Sequence, residues 1–459
     1  TEPVTVTEIP VETEETTEGA TEPPATDAAT EPETTEPEET VPEETESEET
    51  AVDGEQAELL LADADALEEA KEFIDALTLN NASNVPEEIV STWKSEFTWD
   101  NEKRESNNKS YLFEWSYYNG VVFEGLDHIY DVTGEESYAD YVQAYLAAMI
   151  TESGSWATTS NNASKVAAGY NATHGADCYK TASLLLDYYK ITGDSRYLAM
   201  AQTLYTDLKN AQSSYTSADR GYNYNHTWAS APSYAVWLDG LYMIQPFMAE
   251  YAAYTNDTEE LSRIAGRFAW IGENMFNEET GLYYHMANSS TDYYNNSDQY
   301  WGRAIGWYAA AMVDVMDYMS GDDLAAMKTQ FKKLVDGMLP YQTEDGMWRQ
   351  FVNVESSAKE TSVTALMTYA IMKAVNSGWL EESYAQYGTA AFAGMCSYAL
   401  DDSGLHYICF KGSHTAYTAV SYDTYVNEGK GVGPFIMFYA EMLEYVNKLE
   451  EEPEETEVT

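Results

Sequence analysis

A turn signal recurs along this chain at near-constant intervals, and it constrains the fold more than any other feature. It reads Tyr130-Asp131-Val132-Thr133-Gly134-Glu135, then Tyr189-Lys190-Ile191-Thr192-Gly193-Asp194. Weaker copies are Tyr254-Thr255-Asn256-Asp257, Met319-Ser320-Gly321-Asp322 and Asn376-Ser377-Gly378. Gly, or Asn in the third copy, tolerates the left-handed backbone that ends a helix. The Asp, Glu or Ser that accompanies it can cap the next helix. Successive copies lie 59, 63, 65 and 57 residues apart.

That period fits two helices and two connections. The flanks agree: Thr181 to Tyr189 and Ile305 to Tyr318 are rich in Ala, Leu and Met, and few residues favour strand. About six such hairpins fit between Glu58 and Glu450. Six helical hairpins close into an all-α (α/α)6 barrel. An open solenoid is the competing architecture, but it needs polar capping repeats, and none is visible.

Distinctive motifs sit 14 to 18 residues ahead of each turn. They are Trp115 to Gly120, Asp177, Asp239, Arg303 and Glu360, and Gly429-Lys430-Gly431 precedes the last helix in the same way. Each motif is therefore expected at the start of an equivalent helix, with all six facing one end of the barrel. Helix N-termini offer free N–H groups and a positive dipole end, which suits an anionic ligand.

Composition separates the ends of the chain from its body. Residues 1–55 are Thr, Glu, Pro and Ala without an aromatic or basic residue, and 450–459 are similar. Such segments cannot bury enough apolar surface to offset their ordering entropy, so both are expected to be disordered. The (α/α)6 domain is expected over 56–449. A Thr/Glu/Pro stretch of this kind is typical of a stalk on a secreted or cell-surface protein. A net charge of -56 argues against a nucleic-acid partner. No run of about 18 apolar residues exists to span a membrane. The three cysteines, Cys178, Cys396 and Cys409, form no disulfide framework, although Cys396 and Cys409 are a possible pair.

The ring gathers Tyr117, Asp177, His226, Asp239, His285, Trp301, Arg303 and Trp307, with Trp237 beside Asp239. Rings that stack on sugar C–H faces, among polar groups that bond hydroxyls, suggest carbohydrate. The 38 Tyr and 11 Trp fit that reading, but they also serve as core filler with a polar tip. Asp239 stands in an apolar run, where a carboxyl resists ionising and suits a general acid; the alternative is a helix cap. Asp177 could be a second carboxylate, a substrate ligand or an N-cap. Arg303 and Lys430 could neutralise a substrate carboxylate or form structural ion pairs. His226 and His285 lack metal-ligand spacing. Gly429 to Gly433 lacks the order of a phosphate loop and reads as a tight turn, so no cofactor is implied.

Over roughly Phe97 to Val446 the chain resembles the unsaturated glucuronyl and rhamnogalacturonyl hydrolases of glycoside hydrolase family 105. The residues that carry the resemblance are Val236 to Met243 with Gln245-Pro246-Phe247, Trp301 to Tyr308, and Glu360-Thr361-Ser362. It implies an (α/α)6 barrel with Asp239 as catalytic acid and Asp177 as second Asp. Tyr117, His226, His285, Trp301, Arg303 and Trp307 fall on its substrate-binding motifs. Two departures stand out: Ala176-Asp177-Cys178 replaces Leu-Asp-His, and Ala304-Ile305 replaces Gly-Asn. The implied reaction acts on an oligosaccharide with a terminal 4,5-unsaturated uronide. Asp239 protonates C4, water adds at C5, and the hemiketal opens to release the aglycone. Other readings are an inverting glycosidase using Asp177 and Asp239, an inactive surface glycan-binding protein, and a helical scaffold.

Overall fold

The computed structural model describes residues 64–77, 115, 117–154, 176–213, 235–288, 299–401, 404–409, 424–425 and 428–451. The expected disordered segment 1–55, His226 and residues 452–459 lie outside them. The described residues belong to one unit within 52–459.

Twelve α-helices make up most of the described residues. They are α1 (Ala64–Leu77), α2 (Tyr117–Thr133), α3 (Glu136–Met149), α4 (Leu184–Thr192), α5 (Ser195–Ser213) and α6 (Leu238–Thr255). Next come α7 (Thr258–Asn274), α8 (Gly302–Met316), α9 (Gly321–Met338), α10 (Thr361–Asn376), α11 (Ala385–Ala399) and α12 (Gly429–Glu451). A 3-10 segment, Ala176–Ser183, leads into α4.

The ring closes as expected. Helix α2 packs on the 3-10 segment, which packs on α6, then α8, α10, α12 and α2 again. These six inner elements run parallel, because each of the first five is followed by an outer helix that returns: α3, α5, α7, α9 and α11. The sixth outer position is filled from the start of the domain, by α1 packing against α12 and α11. Burial follows the two layers. Every residue of α8 is buried. The outer α7 buries one stripe, Glu260, Ile264, Ala265, Arg267, Phe268 and Ile271, the spacing of one helix face. Gln245, from the Gln-Pro-Phe motif, accepts a 3.0 Å hydrogen bond from Arg267 and ties α6 to that outer helix.

All five predicted turn residues adopt the left-handed conformation, with φ of 68° at Gly134, 71° at Gly193, 57° at Asn256, 57° at Gly321 and 65° at Gly378. The capping residues work at two of the joints. Asp257 accepts from Glu260 N–H at 3.1 Å and Asp194 from Arg196 N–H at 2.9 Å. Glu135 makes no such cap.

One expectation is corrected. Gly429 to Gly433 is not a tight turn but the opening turn of α12. A side chain at Gly433 would sit 2.6 Å from Val121, so glycine here lets α12 press against α2. The only sheet among the described residues is in two-stranded ladders; one joins β1 (Ala235–Trp237) antiparallel to β4 (Met286–Asn288). Another joins β2 (Phe276–Asn277) to β3 (Leu282–Tyr283). No described helix is long and apolar enough to cross a membrane. Cys396 is buried, and the side chain of Cys409 lies outside the described residues.

Candidate active site

The N-termini of the inner helices collect the motif residues. Tyr117 is the first residue of α2, and Asp177 is the second of the 3-10 segment. Asp239, Arg303 and Lys430 are each the second residue of α6, α8 and α12. Glu360 precedes the first residue of α10. The spacing to the turns thus places them at one end. The side chain of Asp177 lies outside the described residues, as does all of His226.

Asp239 is fixed by a strand pairing as well as by its helix. Trp237 pairs with Met286 across the β1–β4 ladder, and the Leu238 N–H donates to the His285 carbonyl at 3.1 Å. This brings His285 Nε2 to 3.2 Å from Asp239 Oδ2. The two atoms are in close polar contact without the alignment of a full hydrogen bond. Both residues are buried, Asp239 at 7% and His285 at 4% exposure.

Two indoles hold the imidazole. The Trp237 and Trp301 rings lie 5.0 and 4.8 Å from it, each at 70°. Trp301 is anchored in turn. It bridges to Phe351, and its neighbour Gly302 donates to the Gln350 carbonyl at 2.7 Å. The Arg303 guanidinium lies 4.5 Å from the Trp301 ring centre. Edge contacts and a cation over a ring face follow the charge distribution of aromatic rings.

Arg303 is almost wholly buried, and its charge is met by Glu360. The guanidinium donates to Glu360 Oε1 and, at 3.2 Å, to Ser362 Oγ, which itself donates to Glu360 Oε1. Burial raises the Glu360 pKa, and Arg303, Ser362 and Lys430 oppose that rise. Lys430 pairs with Glu428 at 2.5 Å. Both cations offered for a substrate carboxylate therefore already face buried acids, which favours the ion-pair reading for each. Glu360 Oε2 and Glu428 Oε2 find no hydrogen-bond partner among the described residues.

Trp307 sits one turn deeper in α8, stacked on Tyr242 at 4.9 Å and 23°. Tyr242 donates to Glu124 at 3.0 Å and has Lys180 3.7 Å above its ring centre. Trp307 therefore packs beneath the site. The structure adds Glu360, Ser362 and Glu428 to the network. Glu360 and Ser362 carried a signal, the Glu360-Thr361-Ser362 motif, with Glu360 at the same 18-residue distance to its turn as Arg303; Glu428 carried none beyond adjacency.

The geometry can deliver a proton from a buried carboxyl to a ligand lying against indole rings. Comparison with known proteins agrees in class. The family model described as glycosyl hydrolase family 88 matches residues 89–446. A family 105 glycoside hydrolase of C. acetobutylicum superposes with a TM-score of 0.62 at 25% identity, over 74% of this chain and 96% of that one. An unsaturated rhamnogalacturonyl hydrolase of Bacillus subtilis is 24% identical over 281 residues, 61% of this chain and 75% of its own. The unsaturated glucuronyl hydrolase of Bacillus sp. GL1 shares the fold, with a TM-score of 0.51 at 16% identity over 73% of this chain and 86% of that one.

Proposed function

From the premise that this chain belongs to glycosyl hydrolase family 88 and is a glycoside hydrolase, we propose that it removes a terminal 4,5-unsaturated uronic acid from lyase-generated oligosaccharides. Asp239 is the general acid and base. Its carboxyl gives a proton to C4 of the enol ether, and water adds at C5 as the carboxylate takes up a proton from it. The C5 hemiketal then opens and the aglycone sugar leaves. The proton donated is recovered from the water, so the enzyme ends unchanged.

The observation that carries this reading is the Asp239–His285 contact, 3.2 Å long and clasped between two indoles at the N-terminal ring. The imidazole steers one carboxylate oxygen and leaves the group oriented for transfer, a positioning role. Trp237 and Trp301 supply faces or edges for the sugar. Arg303, held by Glu360, keeps Trp301 in place. The helix N-termini add a field that favours the uronate anion. Relatives named for unsaturated rhamnogalacturonyl and 3S-rhamnoglycuronyl hydrolysis support the substrate class. The composition of residues 1–55 supports action outside the cell, from a stalk.

The test is the ultraviolet absorbance of unsaturated oligosaccharides with the wild type and with Asp239→Asn. The wild type should erase the double-bond signal. The variant should be slower by roughly a hundredfold to ten-thousandfold, the usual contribution of general acid–base catalysis. Cleavage of saturated glycans with the absorbance intact would replace this reading with the two-carboxylate glycosidase.

A further inference from the structure

The opposite end of the barrel holds a cavity of about 290 Å³ with a charge pattern unlike the active-site end. Nine carboxylates line it, against Lys373 and His128. On its floor are Glu124, Asp127, Glu250, Asp314 and Glu441, each no more than 7% exposed. At its rim, Asp131, Asp187, Asp317 and Glu444 reach solvent or lie partly buried. Asp127, Asp131, Glu250, Asp314, Glu441 and Glu444 come from the C-terminal halves of α2, α6, α8 and α12, and Asp317 caps α8, where the helix dipoles are negative; Glu124 lies mid-way along α2 and Asp187 in the first turn of α4.

Three lysines meet only part of this charge. Lys180 pairs with Glu124, Lys190 with Asp187 and Glu250, and Lys373 with Asp314 and Asp317. The His128 pKa is lowered to about 3, chiefly by burial, so it adds no positive charge at neutral pH. Asp127 enters no ion pair among the described residues, its hydrogen-bonding neighbour being the Tyr188 hydroxyl, and Asp314 Oδ2 is buried without a hydrogen-bond partner there. A buried carboxylate oxygen in that state is costly, and both residues line the cavity.

We propose that this cavity binds a linear diamine or polyamine. The carboxylates are spread around a ring, and no group of three or more described Asp, Glu, His or Cys is placed to hold a metal ion. The volume is far larger than an ion. Between the acids the wall is apolar, with Val132, Leu184, Pro246 and Ala440. Carboxylates separated by apolar wall match ammonium groups separated by methylenes. The site is independent of the substrate assigned above.

The experiment is calorimetric titration of the full chain with spermidine at pH 8 and fixed ionic strength. The variants are Asp127→Asn on the floor and Asp131→Asn on the rim. The wild type should show one saturable site, weakened about tenfold by Asp127→Asn, the scale of one charge-assisted hydrogen bond. Asp131 is exposed at the rim, and Asp131→Asn should weaken binding by a smaller factor. Three outcomes overturn the proposal: no saturable binding, equal binding in wild type and both variants (the acidic tail as sink), or calcium binding with the same dependence on the variants.

Discussion

The two ends of this barrel are built from the same inner helices and solve charge in opposite ways. At the N-terminal end the buried cations Arg303 and Lys430 each have a buried acid, Glu360 and Glu428, and the catalytic candidate Asp239 faces His285. At the C-terminal end nine carboxylates share a cavity that a single lysine lines. Helix dipoles favour anions at the first end and cations at the second. The matched end can accept an anionic ligand without rearranging its own charges. The unmatched end must take up protons or a cation.

The sharpest way to break that comparison is to unmatch the matched end. Arg303→Met leaves Glu360 buried without its guanidinium and removes the cation over Trp301. Breaking a buried pair from one side typically costs roughly 3–5 kcal/mol. Denaturant unfolding should show a loss on that scale, and Arg303→Met with Glu360→Gln together should recover much of it. A loss under about 1 kcal/mol would mean that the pair is solvated and the two ends do not differ as described.

The converse experiment acts at the other end. Glu441 has its pKa raised to about 7, by burial first, with Lys373 and the Asn376 hydrogen bond opposing. Burial raises Asp127 and Glu250 in the same direction. A carboxyl whose pKa is higher folded than unfolded stabilises fully below the unfolded value, near 4.5, and that stability is lost as pH rises through about 7. Glu441 alone should cost roughly 3 kcal/mol between pH 4.5 and pH 8. Unfolding at pH 5 and pH 8 should therefore show the wild type weaker at pH 8, with Glu441→Gln flattening the slope. A wild type equally stable at both would show that a counterion already fills the cavity.

The contrast also explains what could be read in advance. The turn residues carried the fold, because a left-handed backbone at one position is a local requirement that only Gly and Asn meet easily. Counting back from Gly193, Asn256 and Gly321 then found the ring that holds Asp177, Asp239 and Arg303. The His285 contact was not legible, since it depends on the register of β1 on β4, set across about 50 residues of chain. The pairing of α1 with α12 was equally hidden, because no local signal links the two ends of a domain. The acidic cavity did leave a trace. Asp127, Asp187, Glu250 and Asp314 stand 7, 6, 6 and 7 residues ahead of their turns. The spacing that located the ring would have located them too.

The smallest effect belongs to the turns themselves, which lie just beyond the acidic end. Gly193 has φ of 71°, and a Cβ built there meets nothing within 4 Å. Gly193→Ala therefore tests backbone conformation without any packing change, at a cost of about 1 kcal/mol. Asn256→Gly, at φ of 57°, exchanges one tolerant residue for another and should shift stability by less than about 0.5 kcal/mol. Thermal unfolding can resolve that difference. If Gly193→Ala were neutral, the turn would be adapting its backbone. The C-terminal ends of the inner helices would then owe their position to the charged cavity rather than to the glycines that announce them in the sequence.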